Sequence, residues 1–454
     1  MSRRRNGAGT TMQLSDDILP FLDALGRLPR HLISDGYDQG LDMLLDRART
    51  KGLLTVLHEY PTGYDCGTWI IPEKWTLRSA RLLDLEGRVL LDAADNGLVC
   101  MSYSQPFSGV VSREELLGHL HIHENLPDAV PFMFSYYRRN WGLCCSRTFR
   151  DALADAAYRV EIDAVFSPGR MRVAEIVVPG KWAESFVLAA HMCHPHQLND
   201  GPLGAALCLD VLESLAAAGT GHTIRLLVGP ETVGTAAWLS RNRECVAGLR
   251  GGLFCEMLTV DLPFVLNASF WGDSLLDALF AEIVRAEAPD NRVERFNYGN
   301  DERQFNGPGV DVPMAALHRS HMSRFQEGRY DAYPEYHSDR DDMRLVSPDK
   351  LARAAALIRD LVAAFDRYLA VPRAAFRGEP FLSRYDLHDT SLDSFSAFMD
   401  VVNTTGRGLT VFEIGRRLGL APEAVRTALD ALAAKGLMEF APCPRTAARG
   451  EELR

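Results

Sequence analysis

Between residues 186 and 290 two hydrophobic periods take turns along the chain. Phe186 to Ala190 is an unbroken apolar run of strand length, and Leu203 to Leu215 then repeats apolar residues every three or four positions. Thr223 to Val228 is a second buried run, followed by a helix that opens over Ala236 to Leu239. Gly251 to Leu258 is a third, followed by a helix over 274–288. Continuous apolar runs alternating with helical stripes predict an α/β sheet. Upstream, Leu14, Ile18, Leu22, Leu25 and Leu28 form a helical stripe that Pro20 starts or kinks and Pro29 ends. Leu41, Leu44 and Leu45 form another, ahead of an apolar run from Leu53 to Leu57. From 58 to 145 the pattern shortens to β-like runs with turn residues between them (WIIPEKW, SARLLDLEGRVLLDA, GLVCMSYSQPFSG) and one short helix in VSREELLGHLHIHENL.

Residues 158–167 and 171–179 read as two strands joined by a turn at Pro168-Gly169 and leading into the strand at 186–190. After about 290 the sequence is irregular to about 343, and a helix follows over 348–369. The stretch 370–390 reads as a linker. Residues 391–445 then give FSAFMDVVN, LTVFEIGRRLGL, the turn APE and AVRTALDALAAKGLMEF, a helix–turn–helix spacing with a wing strand after Gly436. Three parts are predicted: a main domain over 13–57 and 146–385, a small β-rich insertion over 58–145, and a winged helix over 391–445.

Charge narrows what the winged helix does. The chain carries a formal net charge of −11, which argues against a general nucleic-acid binder. The would-be recognition helix, PEAVRTALDALAAKG, offers only Arg426 and Lys435 as bases. A packing or protein-contact role is expected, with no nucleic-acid partner. The start, MSRRRNGAGTT, is basic, but no apolar core follows it, and no run of 18 apolar residues occurs. A cytoplasmic chain with no membrane partner is expected. The nine cysteines are an odd number without a CxxC, so free thiols are expected and a thiolate zinc site is not.

The chemistry gathers where a strand ends and a helix begins. His191, Cys193, His194, His196 and Asp200 fall within ten residues after the first buried run. Imidazole and carboxylate groups at such a junction suit a zinc-type ion. Glu231 follows the next strand, Glu256 lies near the end of a third, and Asp301, Glu302, His337 and Asp341 lie in loops. Together they supply the donors for one or two zinc ions and a base to activate water. His119, His121 and His123 alternate, and they read as surface or interface histidines.

Six words carry a resemblance: PTGYDCGTWIIPEKW (61–75), SYYRRNWGLCCS (135–146), HMCHPHQLNDGPLG (191–204), PETVG (230–234), GNDERQFNGPG (299–309) and YPEYHSDRDDM (333–343). In these words the chain resembles the zinc aminopeptidase-like superfamily. It looks closest to the aminopeptidase-like subfamily that carries a small inserted domain and a C-terminal winged helix and is linked to polysaccharide biosynthesis. The resemblance implies a phosphorylase/hydrolase-like α/β fold, with a central mixed sheet flanked by helices.

It also implies roles. His194 is the first candidate metal ligand, with His191 its competitor. His191 stands where the wider superfamily has the His of an HxD motif, and Cys193 replaces that Asp. Asp200 matches the carboxylate that bridges two metals, and His337 matches the late His ligand. Glu231 stands in the place of a glutamate pair whose second member is here Thr232, and it is taken as the base. Glu256 is in the region of a further ligand. Asp301 and Glu302 are a ligand, an anchor for a substrate amine or an outer support. Apart from the resemblance, Arg303, Arg319 or Arg324 could instead clamp a substrate carboxylate bidentately; the amine anchor and the carboxylate clamp predict different substrates, and the sequence does not choose between them. One zinc held by His194, Asp200 and His337 is the central expectation, with two left open. The implied function is zinc-dependent hydrolysis of an amide or peptide bond in a small peptide or amino-acid conjugate. The alternatives are a metal-dependent acyl transferase or cyclase on the same fold, and a non-catalytic binding protein acting through the winged helix. A homo-oligomer is left open.

Overall fold

Apolar runs with no polar face must be covered on both sides, and they form the centre of the structure. The computed structural model describes residues 12–321, 332–387, 392 and 394–444. The chain opens with helices α1 (Ile18–Gly26) and α2 (Asp35–Thr50) and strand β1 (Leu54–Pro61). Next come β2 (Lys74–Leu83), β3 (Val89–Asp92), β4 (Phe107–Ser112), α3 (Arg113–His119), the short β5 (Leu120–His121) and β6 (Leu143–Cys144), α4 (Arg147–Asp151) and β7 (Ala157–Ser167). The α/β stretch then runs β8 (Arg170–Val178), β9 (Trp182–His191), α5 (Pro202–Ala218), β10 (His222–Gly229), α6 (Val233–Arg241), α7 (Arg243–Gly248), β11 (Leu249–Cys255), β12 (Val265–Asn267), α8 (Leu275–Glu287), β13 (Arg292–Glu294), α9 (Glu302–Phe305), β14 (Met314–His318) and α10 (Pro348–Tyr368). The C-terminal part holds β15 (Val371–Ala374), α11 (Phe395–Thr404), α12 (Val411–Leu418), α13 (Pro422–Ala434) and β16 (Met438–Ala441).

Eight strands form one mixed sheet in the order β1-β8-β10-β9-β11-β14-β12-β13. The four central strands β10, β9, β11 and β14 are parallel, while β8 runs antiparallel to both β1 and β10, and β12 antiparallel to β14. From β9 the chain crosses by α5 to β10 on one side and then returns past β9 to β11 on the other. That reversal opens a crevice at the carboxyl ends of the parallel strands, the usual site position in such sheets. Helix α5 begins with Pro202 in its first turn, where a missing N–H costs nothing. Pro20 likewise falls in the first turn of α1, which begins at Ile18 and so does not start at the proline. A Cβ on Gly204 would come within 2.1 Å of the Cys255 carbonyl oxygen. Only glycine lets the start of α5 sit directly on the end of β11.

β2, β3, β4 and β7 make a second, four-stranded antiparallel sheet in the order β3-β2-β7-β4. β7 and β8 are joined at Pro168-Gly169, but they belong to different sheets, so the chain changes layer at that turn. The stretch after 290 that looks irregular in sequence holds β13, α9 and β14. β14 is buried at every position, but five residues after a proline are too short to show a period.

Helices α11, α12 and α13 enclose a separate apolar cluster that includes Phe398, Val401, Ile414, Val425, Leu429 and Leu432. β16 pairs with β15. Arg426 on α13 is committed to contacts within the molecule: its Nε donates to Asp430 (2.9 Å), its Nη1 donates to the Arg367 carbonyl (2.8 Å), and its guanidinium lies 3.8 Å from the Phe440 ring centre. Among the described residues no helix is long and apolar enough to cross a membrane.

Candidate metal centre

β9 ends at His191, and the chain folds back through a loop before α5 begins at Pro202. Arg30, fully buried, shapes that loop. Its Nε donates to the Met192 carbonyl (3.0 Å), and its Nη2 donates to the carbonyls of His194 (2.7 Å) and Gln197 (2.6 Å). Burial without a carboxylate at bonding distance pulls its pKa down to about 9. From the other side Asp341 accepts the backbone N–H groups of Asn199 and Asp200, both at 2.9 Å, and the Tyr333 hydroxyl at 3.0 Å. The loop is thus pinned on two sides, and the Asp200 carboxylate projects among the histidines.

Asp200 is the centre of the cluster. Its Oδ1 lies 3.3 Å from His191 Nε2, and its Oδ2 lies 3.2 Å from His194 Nδ1 and 3.0 Å from His337 Nε2. His191 Nε2 is also 3.0 Å from Glu256 Oε2, and His194 Nε2 is 3.3 Å from Glu231 Oε2. Two triads therefore share one carboxylate: His191, Asp200 and Glu256, and His194, Asp200 and His337. In each, the donor atoms lie within 4.8 Å of one another. A third grouping, His191, Cys193 and His194, overlaps both. Its Cys193 Sγ accepts the Glu231 N–H at 3.2 Å.

The donor set fits a zinc-type ion on an observation made in the cluster itself. Asp200 Oδ2 and His337 Nε2 are buried and 3.0 Å apart, yet among the described residues neither makes a hydrogen bond. Buried polar atoms without partners are costly, and a cation between them would satisfy both. Two nitrogens and one carboxylate in one triad, and one nitrogen and two carboxylates in the other, are ordinary zinc donors. The electrostatics point the same way. Burial opposes ionisation of Asp200, but the His194 charge and the imidazoles of His191 and His337 beside it hold its carboxyl well below the usual range. Burial likewise opposes protonation of His191 and His194, but the surrounding carboxylates raise both well above an ordinary histidine. For Glu256 burial wins, reinforced by the Asp200 and Glu231 charges, and its pKa rises to about 7. A bound cation would take the place of these protons.

Glu231 stands on a strained turn. The next residue, Thr232, has φ +62°, and the Glu231 carbonyl accepts the Val233 N–H at 2.6 Å. Such a conformation is rare for a β-branched residue. Asp301 holds it in place by accepting the Thr232 N–H (3.0 Å) and the Thr235 hydroxyl. Arg303 Nη2 donates to Thr232 Oγ1 at 2.5 Å. The Thr232 side chain is therefore turned to Arg303 and adds no donor to the metal cluster. Glu302 accepts the Asn300 N–H (3.2 Å), and Asn300 Nδ2 donates to Glu256 Oε1.

His337 is held differently. It has φ +52°, its carbonyl accepts the Phe132 N–H (2.7 Å), and Tyr336 stacks on its ring at 4.0 Å. Asp339 accepts the Val130 N–H (3.1 Å) and the Asn96 side-chain amide (2.9 Å). The Phe132 ring lies 5.1 Å from His194 and 5.3 Å from His337. The segment before α4 thus clamps the loop that carries His337. A cleft of about 1070 Å³ opens there, lined by parts of residues 120–134 and 297–303 together with Glu231, Tyr336 and His337.

The structure thus brings together His191, His194, Asp200, Glu231, Glu256 and His337. Asp301 and Glu302 are buried, and neither lines the cleft; Arg303 does. Arg319 donates to the Val260 and Leu262 carbonyls and lies over the Phe264 ring, a structural place. Arg324 lies outside the described residues. His196 stands apart from the donor groups, with its ring against Gly97. His119 stacks on Trp141, and His123 Nε2 donates to the Tyr336 carbonyl. Sequence reading missed Arg30, Asn300 and Phe132. Asn300 could have been found in the word that holds Asp301 and Glu302; nothing in the local pattern marks the other two.

The chain resembles known proteins over most of its length. The sequence model of a family described as a domain of unknown function, DUF4910, matches residues 20–368. A Clostridium acetobutylicum protein, named as a candidate polysaccharide biosynthesis protein with an aminopeptidase-like domain, is 25% identical over 424 residues, 92% of this chain and 94% of that protein. A crystal structure of a candidate peptidase from Clostridium acetobutylicum, 25% identical, superposes with a TM-score of 0.79 over 94% of this chain and 96% of that one. A zinc aminopeptidase from Bacillus subtilis, 12% identical, superposes with a TM-score of 0.58 over 77% of this chain and 95% of that one. The last likeness is one of fold, and the fold is that of the zinc aminopeptidases.

Proposed function

The chain belongs to the DUF4910 family, and from that premise we propose that it is a zinc-dependent hydrolase of an amide or peptide bond in a small peptide or amino-acid conjugate. One observation carries the reading: the Asp200 carboxylate lies between two histidine-containing triads beside a cleft that Glu231 and His337 line. His191 and Glu256 would hold one ion and His194 and His337 a second, with Asp200 between them. This extends the one-ion expectation, which used only the triad at the cleft. Bound there, zinc supplies a Lewis acid for the substrate carbonyl and lowers the pKa of water toward neutrality.

The protein's own groups do the rest. Glu231 is a quarter exposed at the cleft and is kept ionised. Burial opposes its charge, but the bond from His194 and the nearby imidazoles hold its pKa below the usual value. An ionised carboxylate at that position takes the proton of the attacking water and passes it to the leaving amine. The strained turn at Thr232 orients the carboxylate, and Phe132 and Tyr336 line the cleft against His194 and His337. The homologue's name and the zinc aminopeptidase fold support a peptidase-like reading. The presence of Glu231 at the cleft supports catalysis over binding alone.

The test is a screen of zinc-loaded and chelator-treated protein against aminoacyl amides, dipeptides and N-acyl amino acids, following amine release. Zinc-dependent turnover that Glu231→Gln abolishes is the expected result. A zinc-loaded protein that turns over none of these classes contradicts the hydrolase reading.

A further inference from the structure

The cleft beside Asp200 carries a cation, Arg303, that pairs with no carboxylate among the described residues. Its charged side chains are Glu124, Glu231 and Arg303, beside the histidines His121, His123 and His337. Arg303 forms no ion pair with a carboxylate among the described residues. Instead it is positioned by neutral acceptors: Nη1 donates to the Tyr298 carbonyl (3.2 Å) and Nη2 to Thr232 Oγ1 (2.5 Å). Its Nε is buried and makes no hydrogen bond. A guanidinium held rigidly by neutral groups keeps its full charge and spare N–H donors for a ligand, and its planar fork matches a carboxylate.

Position makes the charge useful. Arg303 bonds the side chain of Thr232, the residue directly after Glu231, and both Arg303 and Glu231 line the cleft. The acids that would anchor a substrate amine are elsewhere. Asp301 and Glu302 are 3% and 2% exposed and do not line the cleft. Of the two acids that do, Glu231 is engaged with His194 and Glu124 is exposed to solvent, where charge pairing is weak. We infer that Arg303 binds a free carboxylate of the substrate in the cleft that Glu231 also lines, so that the substrate class is N-acyl amino acids and peptides cleaved next to their C-terminal residue. This rests on the hydrolase reading and deepens it. In the reaction, water oxygen bonds to the acyl carbon and the C–N bond breaks. The amine takes the proton that Glu231 accepted, and the products are a carboxylic acid and a free amino acid.

The test compares N-acetyl-amino acids with their C-terminal amides, by calorimetric binding to the zinc-loaded full chain. Any carboxylate contact with zinc is common to all variants, so the ratio of acid to amide affinity isolates Arg303. The wild type should favour the acid by about tenfold or more, the size expected of a charge-assisted bidentate pair. Arg303→Gln should bring the ratio close to that of zinc alone, and Arg303→Lys, with the charge but without the fork, should fall between. Equal affinity for acid and amide in the wild type, no binding of the acid, or an acid preference unchanged in Arg303→Gln and Arg303→Lys would each overturn the assignment. Zinc content measured on the same samples keeps the two readings apart. Loss of zinc counts against the hydrolase, and a flat acid-to-amide ratio with zinc bound counts against Arg303 alone.

Discussion

The two triads around Asp200 are built on opposite principles. His191 and Glu256 sit at or just beyond the ends of adjacent parallel strands, each only 1% exposed. Their positions follow from the packed sheet, with Gly204 letting α5 seat directly on β11. His337 is carried by a loop with φ +52°, its side chain a quarter exposed, and it is held by Phe132, Val130 and Asn96 from a distant part of the chain. One triad is closed and rigid; the other opens to the cleft where Glu231 and Arg303 lie. Closed zinc sites are typically structural and open ones catalytic. On the proposed function, the closed triad would organise the centre and the open one would meet the substrate.

The comparison is broken most severely at the group both triads share. Asp200→Asn should abolish metal binding at both and lower amide hydrolysis by about a thousandfold, the several kcal/mol that a catalytic metal supplies. Elemental analysis beside the activity assay checks it. Glu231→Gln should separate chemistry from binding. It should keep the full metal content while hydrolysis falls by roughly a hundredfold to ten-thousandfold, the usual worth of a general base. A matching loss of metal would place Glu231 among the ligands.

Asp339→Ala should loosen only the open triad. With the clamp from Val130 and Asn96 gone, affinity for one ion should weaken by about ten- to a hundredfold, the usual effect of losing an outer support, while the other ion stays. Competition with a chromogenic chelator would resolve the two. Equal weakening of both ions would mean that the triads are not independently held.

The smallest effect is on stability without metal. Burial, with help from neighbouring acids, pushes Glu256 up to about 7 and Glu302 up to about 8, from an ordinary 4.5. Burial likewise pushes Asp301 up to about 6 from 3.8. A carboxyl raised in the folded state binds its proton there longer than in the unfolded chain. Its stabilisation is therefore complete below the ordinary value and is lost as pH rises through the folded one. The raised His191 and His194 act in the same direction. Chelator-treated protein should lose thermal stability between about pH 7 and pH 8, above the ordinary histidine value through which the lowered His31, His196, His318 and His337 pull the other way, and zinc should flatten that dependence. A chelated protein that grows more stable over this range would contradict the assignment.

The same contrast governs how much could be read from sequence. β9, α5, β10 and β11 announce themselves because strands buried on both faces leave long apolar runs, and the donors at their ends stand next to those runs. His191, His194, Asp200, Glu231 and Glu256 were all visible in this way. His337 was visible only through its word, because the loop that holds it has no period and its support comes from Phe132 some two hundred residues away. The separate places of Asp301 and Glu302, beneath the cleft, and Arg303, within it, could not be read either. One short helix turn sends adjacent side chains in different directions, and sequence gives no reason to prefer one. Arg30 was invisible for a similar cause: its partners are backbone carbonyls, which every sequence has.

The most direct test of the account is the zinc content of the purified protein beside His191→Ala and His337→Ala. Two triads sharing Asp200 predict about two equivalents in the wild type and about one in each variant, with His337→Ala keeping the closed ion and losing hydrolysis. A wild type that takes up no zinc when it is supplied, or variants that keep the wild-type content, would contradict it.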